Sequence, residues 1–400
     1  MGPFALLITA LGIAQIVSWG TLFYAIAVLG PAIRKDLGVT DVFLFGAFTA
    51  GLVVSGMLSP WVGRLIDRKG GRFTLSIGSI IAAAAMVVLA ISQDAWVLGA
   101  GWILSGVAIA FCLYDPAFAT LSQHTGARYR QAVTVLTLFG GFASTIFWLF
   151  SYTFMQAWGW RGAFAIFAGF HLFVCLPLHL YAIPRRLGSH RTVRSSKAVE
   201  AAVSPGLGTP RLAWLTIGLA LGTFVYSVIA VHIIELLTSA GLTAGQAVSI
   251  SLLVGPMQVL GRIVELGFGR RIRSVSVGTV AFALMFLSLL SLSLVHGPGA
   301  SAIVFVVAYG CGNGLLTIAR GTVAGELFGL HGLGAVLGRI SGASLYARAI
   351  APASLPALMA LGYSRGGALL ALGFLAVVGV GSYAIAAARQ HAVKAGATRS

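Results

Sequence analysis

Two charged residues lie inside long apolar stretches of this sequence, Asp115 in "CLYDPAF" and Arg320 in "LLTIARGT". Charged side chains within a membrane are costly, so they are first candidates for binding ions or substrates. Pro116 follows Asp115 and leaves a preceding carbonyl without its helical donor, which predicts a helix break. We predict that Asp115 and Arg320 pair across an internal cavity in one state and separate, or share an anionic ligand, in another. A static buried ion pair that only stabilises packing is the alternative.

Other polar side chains within apolar segments are candidates for contact with a substrate or a proton. His232 precedes Glu235 by one helical turn, so the two could share a proton, although a solvated helix end is the alternative. Arg262 precedes Glu265 by one turn, and the two could simply neutralise each other. The candidate binding residues beside Asp115 and Arg320 are Asn313, Trp19, Tyr24, Tyr226, Glu235 and Arg262.

The composition indicates which elements hold these residues. The chain has 400 residues, of which 58% are hydrophobic and only 9% are charged, with a mean hydropathy of +0.96. A soluble domain carries about 25% charged residues. The apolar runs are about 20 residues or longer, which is the length that a helix needs to cross a bilayer. The sequence therefore predicts an integral membrane protein built from helices.

Breaks in hydropathy divide the chain into twelve predicted spans in two halves. The predicted fold is an all-α membrane protein with two six-helix bundles, residues 1–183 and 212–388, joined by a basic linker at 184–211 and followed by a tail at 389–400. The predicted spans are 5–30, 41–62, 73–92, 96–121, 132–157 and 162–183, then 212–237, 245–268, 275–296, 299–327, 336–361 and 366–388.

The basic residues predict the orientation of the spans. Most Lys and Arg lie in alternate links, in the central linker and in the tail, whereas the opposite links carry Arg34, Lys35, Arg161 and Arg365. Cytoplasmic links are enriched in Lys and Arg, so we predict that both termini are cytoplasmic. The net charge of +17 follows from the same loops, where it meets anionic lipid head groups. Nucleic acid is therefore not expected as a partner.

The link between predicted spans 2 and 3, "GRLIDRKGGR" at 63–72, concentrates charge in an otherwise apolar chain. With the twelve-span pattern, it resembles the signature loop of bacterial-type twelve-helix transporters of the major facilitator superfamily. A partial echo, "GRIVELGFGRR" at 261–271, follows the second span of the other half, and "GWRGAF" at 159–164 is also similar to that family. The loop residues that match are Gly63, Asp67, Arg68, Gly70 and Arg72, whereas Gly71 replaces a basic residue.

The resemblance implies a gate and a cavity. In that family the loop holds the two halves together on the cytoplasmic side, so Asp67 is expected to dock near the start of span 11, with Arg68 or Arg72 nearby. Spans 1, 4, 7 and 10 are expected to line the central cavity. Span 4 lacks the arginine motif, and span 5 the glycine-proline motif, of many drug antiporters.

The resemblance implies secondary active transport of a small solute across the inner (plasma) membrane by alternating access. A small organic anion is the favoured substrate, with protons as the coupling ion and a monomer as the unit. A multidrug or toxic-compound efflux antiporter and a non-transporting receptor or scaffold are the alternatives. No nucleotide-binding loop, metal-ligand pattern or nucleophile motif is present, so neither an enzyme nor a cofactor or metal site is expected.

Overall fold

A computed structural model describes residues 2–184, 208–268 and 271–397 of the chain. Their regular secondary structure is helical throughout. Most of the predicted linker (185–207), Arg270 in the second-half echo and the last three tail residues lie outside the described residues.

Sixteen α-helices in this described part cover every predicted span. Two five-residue π-helical segments, Gly20–Tyr24 and His171–Cys175, connect some of them and are called wide turns. The first half contains α1 Pro3–Trp19, α2 Ala25–Leu37, α3 Asp41–Lys69, α4 Gly71–Ala90, α5 Ala95–Cys112, α6 Tyr114–Thr125, α7 Tyr129–Gly141, α8 Ala143–Phe170 and α9 Leu176–Tyr181. The second half contains α10 Pro210–Thr238, α11 Ala244–Ser251, α12 Val254–Phe268, α13 Ser274–Ser293, α14 Ala300–Phe328, α15 Leu333–Ala360 and α16 Arg365–Ala397.

Nine helical runs among the described residues are long and apolar enough to cross a membrane. One of them, Ala95–Tyr181, contains the predicted spans 4, 5 and 6 in a single run of 87 residues. Within it, α8 is broken at Gly159, whose φ of 68° favours glycine because other residues rarely adopt it. The break lies between the fifth and sixth predicted spans. The chain is a multi-pass membrane protein.

The chain separates into two compact units. The first comprises residues 1–205 together with 330–342, and the second comprises 206–329 together with 343–400. The start of α15 therefore packs with the first unit, although it lies far along the chain from the rest of it.

The same contacts recur in the two units, as expected for an internal repeat. In the first, the Gln123 side chain at the end of α6 accepts a hydrogen bond from the first main-chain N–H of α4, at 3.2 Å. In the second, Glu326 at the end of α14 accepts one from the N–H of Ser274 at the start of α13, at 2.7 Å. Likewise, Arg161 donates to the carbonyl oxygen beyond α4, and Arg365 donates to a carbonyl oxygen near the end of α13, each at 2.8 Å.

Candidate functional site

Gly70 and the side-chain amide of Gln123 stabilise the charged turn between α3 and α4. Gly70 has φ 84° and ψ 160°, a conformation that strains any residue with a Cβ atom, and the chain reverses there. The Gln123 amide spans the turn, since its Nε2 donates to the Ile66 carbonyl at 2.9 Å and its Oε1 accepts from the Gly71 N–H. Asp67 lies in the last turn of α3, just before this reversal.

Asp67 caps the N-terminus of α15. Its Oδ1 accepts a hydrogen bond from the Gly334 N–H at 3.0 Å, and its Oδ2 accepts one from the Ala335 N–H at 2.8 Å. These are two of the first main-chain donors of a helix that begins at Leu333, and such donors have no partner inside the helix. A carboxylate also favours the positive end of a helix. This position agrees with the expected docking of Asp67, whereas the gating role remains a prediction.

Glycines bring α3 and α15 into main-chain contact. A Cβ atom at Gly63 would collide with the carbonyl oxygen of Gly334, and one at Gly342 would lie 2.8 Å from the carbonyl oxygen of Gly56. Gly338 meets the carbonyl of Ser59 in the same way. The sequence analysis missed the α15 side of this contact, although glycines at positions 334, 338 and 342 form a spacing typical of close helix packing in membranes.

The two arginines of the motif differ in how far they are exposed to solvent. Arg68 is exposed at the end of α3, whereas Arg72 in the first turn of α4 is half-buried and lines a groove with Lys69. Their predicted part in the gate stays a prediction.

The helix break predicted beside Asp115 is confirmed, since α5 ends at Cys112, Leu113 is extended and α6 begins at Tyr114. The N–H that would bond the Cys112 carbonyl in a continuous helix belongs to position 116, which is proline. Gln15 of α1 replaces it, since its Nε2 donates to that carbonyl at 2.7 Å. Gln15 is fully buried against the break.

We expect Gln15→Leu to destabilise the protein. The Cys112 carbonyl would then be buried without a donor, which costs about 1–3 kcal/mol. The matched control is Ser105→Ala, because the Ser105 hydroxyl donates to the Gly101 carbonyl within its own helix and that carbonyl keeps its main-chain donor. Thermal unfolding of the purified variants is the measurement, and an equal fall in Tm for the two would contradict the role of Gln15.

Asp115 itself is near the N-terminus of α6 and accepts a hydrogen bond from the Ser341 hydroxyl of α15 at 2.7 Å. Asp67 and Asp115 thus both contact the first ten residues of α15, which belong to the first unit. Arg320 belongs to the second unit, and its pairing with Asp115 stays a prediction.

Aromatic side chains cluster around the wide turn that follows α1. The Trp19 ring centroid lies 5.1 Å from that of Tyr114 and 6.1 Å from that of Tyr24. Trp19 is 7% exposed, whereas Tyr24 is half-buried. Wide turns of this kind are frequent at functional sites. Thr21 in the same turn contacts His171 Nε2 in the other wide turn through its hydroxyl, at 2.8 Å, a buried contact that the sequence analysis did not foresee.

Arg320 lies on a polar stripe of α14 with Asn313 and Thr317, which are spaced seven and three residues before it. Arg320 is 8% exposed, and Asn313 and Thr317 are half-buried. The Thr317 hydroxyl donates to the Asn313 carbonyl at 3.0 Å, a hydrogen bond within α14 itself. The stripe combines a fixed positive charge with neutral hydrogen-bonding groups on one helix face.

Arg262 and Glu265 both lie on the buried face of α12, each 4% exposed. Gly261 on the same face packs against α14, since a Cβ there would lie 2.8 Å from the Cys311 carbonyl oxygen. Arg262 is therefore a charged residue within the packed interior of the second unit. Contact with a substrate remains a prediction for it.

Tyr226 is placed in the packing between helices. It is 2% exposed, and its hydroxyl donates to the Ala281 carbonyl of α13 at 2.9 Å. Its ring lies 5.5 Å from that of Tyr309, whose hydroxyl donates to the Tyr226 carbonyl. These contacts give Tyr226 a role in holding α10, α13 and α14 together, whereas its contact with a substrate stays a prediction.

His232 lies between two oxygen atoms that accept hydrogen bonds. Its Nδ1 is 3.0 Å from Oε2 of Glu235, and its Nε2 is 3.1 Å from the carbonyl oxygen of Pro352. A doubly protonated imidazole would donate to both oxygens at once, and the tautomer decides which nitrogen donates when the ring is neutral.

Clusters of three or more His, Cys, Asp or Glu that could hold a metal ion do not occur among the described residues.

The comparisons with known proteins agree with this geometry. The profile of the Major Facilitator Superfamily matches residues 11–352. This chain belongs to the major facilitator superfamily. The family resemblance of the charged turn is thereby confirmed, and the protein is a membrane transporter of small solutes rather than an enzyme.

Relatives of this transporter include proteins with assigned substrates. A gentisate transporter of Corynebacterium glutamicum is 25% identical over 348 residues, which are 81% of this chain and 76% of that protein. The human organic anion transporter MFSD10 (TETRAN) has the same fold, with a TM-score of 0.73 at 14% identity over 96% of this chain and 100% of that one. A variant of the E. coli fucose:proton symporter FucP gives 0.70 at 15% identity over 97% and 98%.

Proposed function

We propose that this transporter carries a small organic anion, an aromatic carboxylate of the gentisate type, together with protons. The observation that carries the proposal is Arg320, a charge that is 8% exposed on the polar stripe of an apolar helix. A guanidinium in that setting binds a carboxylate through two parallel hydrogen bonds and with little competition from water. The similarity to a gentisate transporter along 81% of the chain supports the same substrate class.

The aromatic cluster of the first unit supports an aromatic substrate over an aliphatic one. Tyr24 is half-buried, and it stands in the wide turn beside Trp19. Aromatic rings bind one another in edge-to-face and offset geometries, which would select a planar ring. In this proposal Arg320 and Asn313 of the second unit bind the carboxylate, and the contact of Trp19 and Tyr24 with a substrate stays a separate prediction for the first unit.

The His232–Glu235 pair supports proton coupling. One end of the pair is nearly enclosed, with the His232 side chain 9% exposed, whereas the Glu235 side chain is 58% exposed. An exposed carboxyl joined to an enclosed imidazole offers a path for a proton from water to the helix interior. We propose that this pair binds and releases the transported proton.

We expect Glu235→Gln to uncouple uptake from the proton gradient, because the amide neither takes up nor releases the shared proton. Gradient-driven uptake should fall about fivefold or more, whereas solute exchange without net proton movement should stay within about twofold. Glu326→Gln is a control for loss of a carboxylate in the same unit, since Glu326 caps α13. Equal losses of exchange and gradient-driven uptake in Glu235→Gln would contradict the role of the pair.

Alternating access in the proposal uses the contact of α3 with α15 as a latch. The basic links support a position of this turn on the cytoplasmic side of the inner membrane, with both termini on that side. Closure there would be stabilised by the Asp67 cap and by the glycine contacts, and opening would break both. Transport thus depends on a latch that is stable but reversible.

Uptake of labelled solutes into proteoliposomes tests the proposal. Gentisate, an aliphatic carboxylate, a neutral sugar and a hydrophobic cation should be compared with and without an imposed proton gradient. We expect gradient-dependent uptake of gentisate and little of the other three. Preferential transport of the hydrophobic cation would favour drug efflux, and no flux with any solute would favour a receptor or scaffold, so either result would overturn the proposal.

A further inference from the structure

A groove opens beside the turn between α3 and α4, outside every residue used in the substrate proposal. It has a volume of about 560 Å³ and lies among α4, the end of α6 and α9. All of its lining residues belong to the first unit. Those that matter here are Lys69, Arg72, Ser76, Ile77, Ile80 and Leu180.

One end of the groove is suited to an anion. Lys69 and Arg72 line it, and the positive end of the α4 dipole begins between them. No aspartate or glutamate is among its lining residues, all of which are described. The groove therefore presents positive charge that its own walls do not offset.

One of the residues that line this groove carries a buried hydroxyl. Ser76 lines it and is 6% exposed, and its Oγ has no hydrogen-bond partner within the described part of the chain. Buried polar atoms nearly always have a partner, so this hydroxyl is available to bind an oxygen atom of a ligand in the groove. It lies one turn deeper than Arg72, on the path from the charged end into the groove.

The other end of the groove is apolar. Ile77, Ile80 and Leu180 line it, and Ile80 is 51% exposed. With a helical rise of about 1.5 Å per residue, Ile80 lies about 12 Å along α4 from Arg72. If Arg72 marks the head-group level, the apolar wall reaches the depth of the acyl chains. The groove therefore changes from basic to apolar in the same direction as the bilayer.

We propose that this groove binds an anionic phospholipid, with the phosphate between Lys69 and Arg72, a head-group or ester oxygen at Ser76, and one acyl chain along Ile77 and Ile80. Charge complementarity and the matching polarity gradient carry the assignment, because basic pockets between membrane helices bind anionic head groups. The inference concerns binding alone and is independent of the transported substrate.

Lipid binding to the purified full-length protein tests this assignment. Phosphatidylglycerol and phosphatidylcholine with identical acyl chains should be titrated into the delipidated protein, and bound lipid counted by native mass spectrometry. We expect phosphatidylglycerol to bind at least about tenfold more tightly, a difference of about 1.4 kcal/mol. Inorganic phosphate at millimolar concentration tests whether a free anion binds the site equally well, and it should not displace the lipid.

Variants separate the two ends of the groove. Ile80→Trp and Leu180→Trp should fill the apolar end and remove the high-affinity lipid, whereas Val87→Trp, a similarly exposed position on α4 away from the groove, should retain it. The double variant Lys69→Gln and Arg72→Gln should abolish the preference for phosphatidylglycerol. Unchanged binding in both tryptophan variants, equal affinity for the two lipids in the unaltered protein, or displacement by phosphate alone would overturn the proposal.

Discussion

Asp67→Asn should lower the initial rate of solute uptake about tenfold or more while the amount of protein in the membrane stays unchanged. The carboxylate accepts hydrogen bonds from the Gly334 and Ala335 N–H groups, one through each oxygen. Asparagine retains one acceptor oxygen, so one N–H group loses its acceptor and the favourable charge at the helix N-terminus is lost. The expected defect is a weaker latch rather than a misfolded protein.

The magnitude follows from the energy of such bonds. A hydrogen bond to a charged group contributes about 1.5–3 kcal/mol. A loss of about 2 kcal/mol from one of two states shifts their ratio about 30-fold. A carrier that must visit both states in every cycle is slowed when one of them becomes rare.

Uptake and thiol accessibility together check this prediction. With cysteine at position 336, which is 2% exposed on α15, in a background without other reactive thiols, alkylation should be faster when Asp67 is replaced. The control is Asp41→Asn, because Asp41 pairs with Arg34 at an exposed site where ion pairs contribute little. Wild-type flux and slow alkylation in the Asp67 variant would remove the latch from the mechanism.

Arg320→Gln should reduce gentisate uptake about 100-fold or abolish it. Truncation of one member of a buried charged pair costs about 2–5 kcal/mol, and about 2.7 kcal/mol corresponds to a factor of 100. The arginine is 8% exposed in an apolar helix, so water replaces it poorly. Arg320→Lys keeps the charge but loses the two-pronged geometry and should retain a small part of the uptake.

A binding measurement separates loss of substrate contact from loss of structure. The unaltered protein should gain thermal stability with gentisate, and Arg320→Gln should lose that gain. Arg34→Gln, at the exposed pair with Asp41, is the matched control and should keep both uptake and the gain. Full ligand-dependent stabilisation of Arg320→Gln would contradict a carboxylate site at this residue.

Hydropathy was sufficient to predict the helical membrane architecture, because a chain that is 58% hydrophobic and 9% charged must satisfy its main-chain groups within helices in lipid. The break at Leu113 was equally predictable, since proline lacks the N–H that a helix needs. The motif at 63–72 indicated the family correctly, because its residue types recur at a fixed spacing within ten positions, although Asp67 acts on a helix far along the chain. These properties depend on residues close together in the chain or on composition.

Only the tertiary structure showed which residues far apart in the chain contact each other. Gln15 supplies the donor that Pro116 removes about a hundred positions later, and Ser341 reaches Asp115 from α15. Periodicity indicates that a polar residue lies on a helix face, but it does not indicate which helix covers that face. Tyr226 shows the consequence, since a candidate for substrate contact has its hydroxyl bonded to a neighbouring helix. Only packing decides whether a polar group in a membrane helix faces a substrate or another helix.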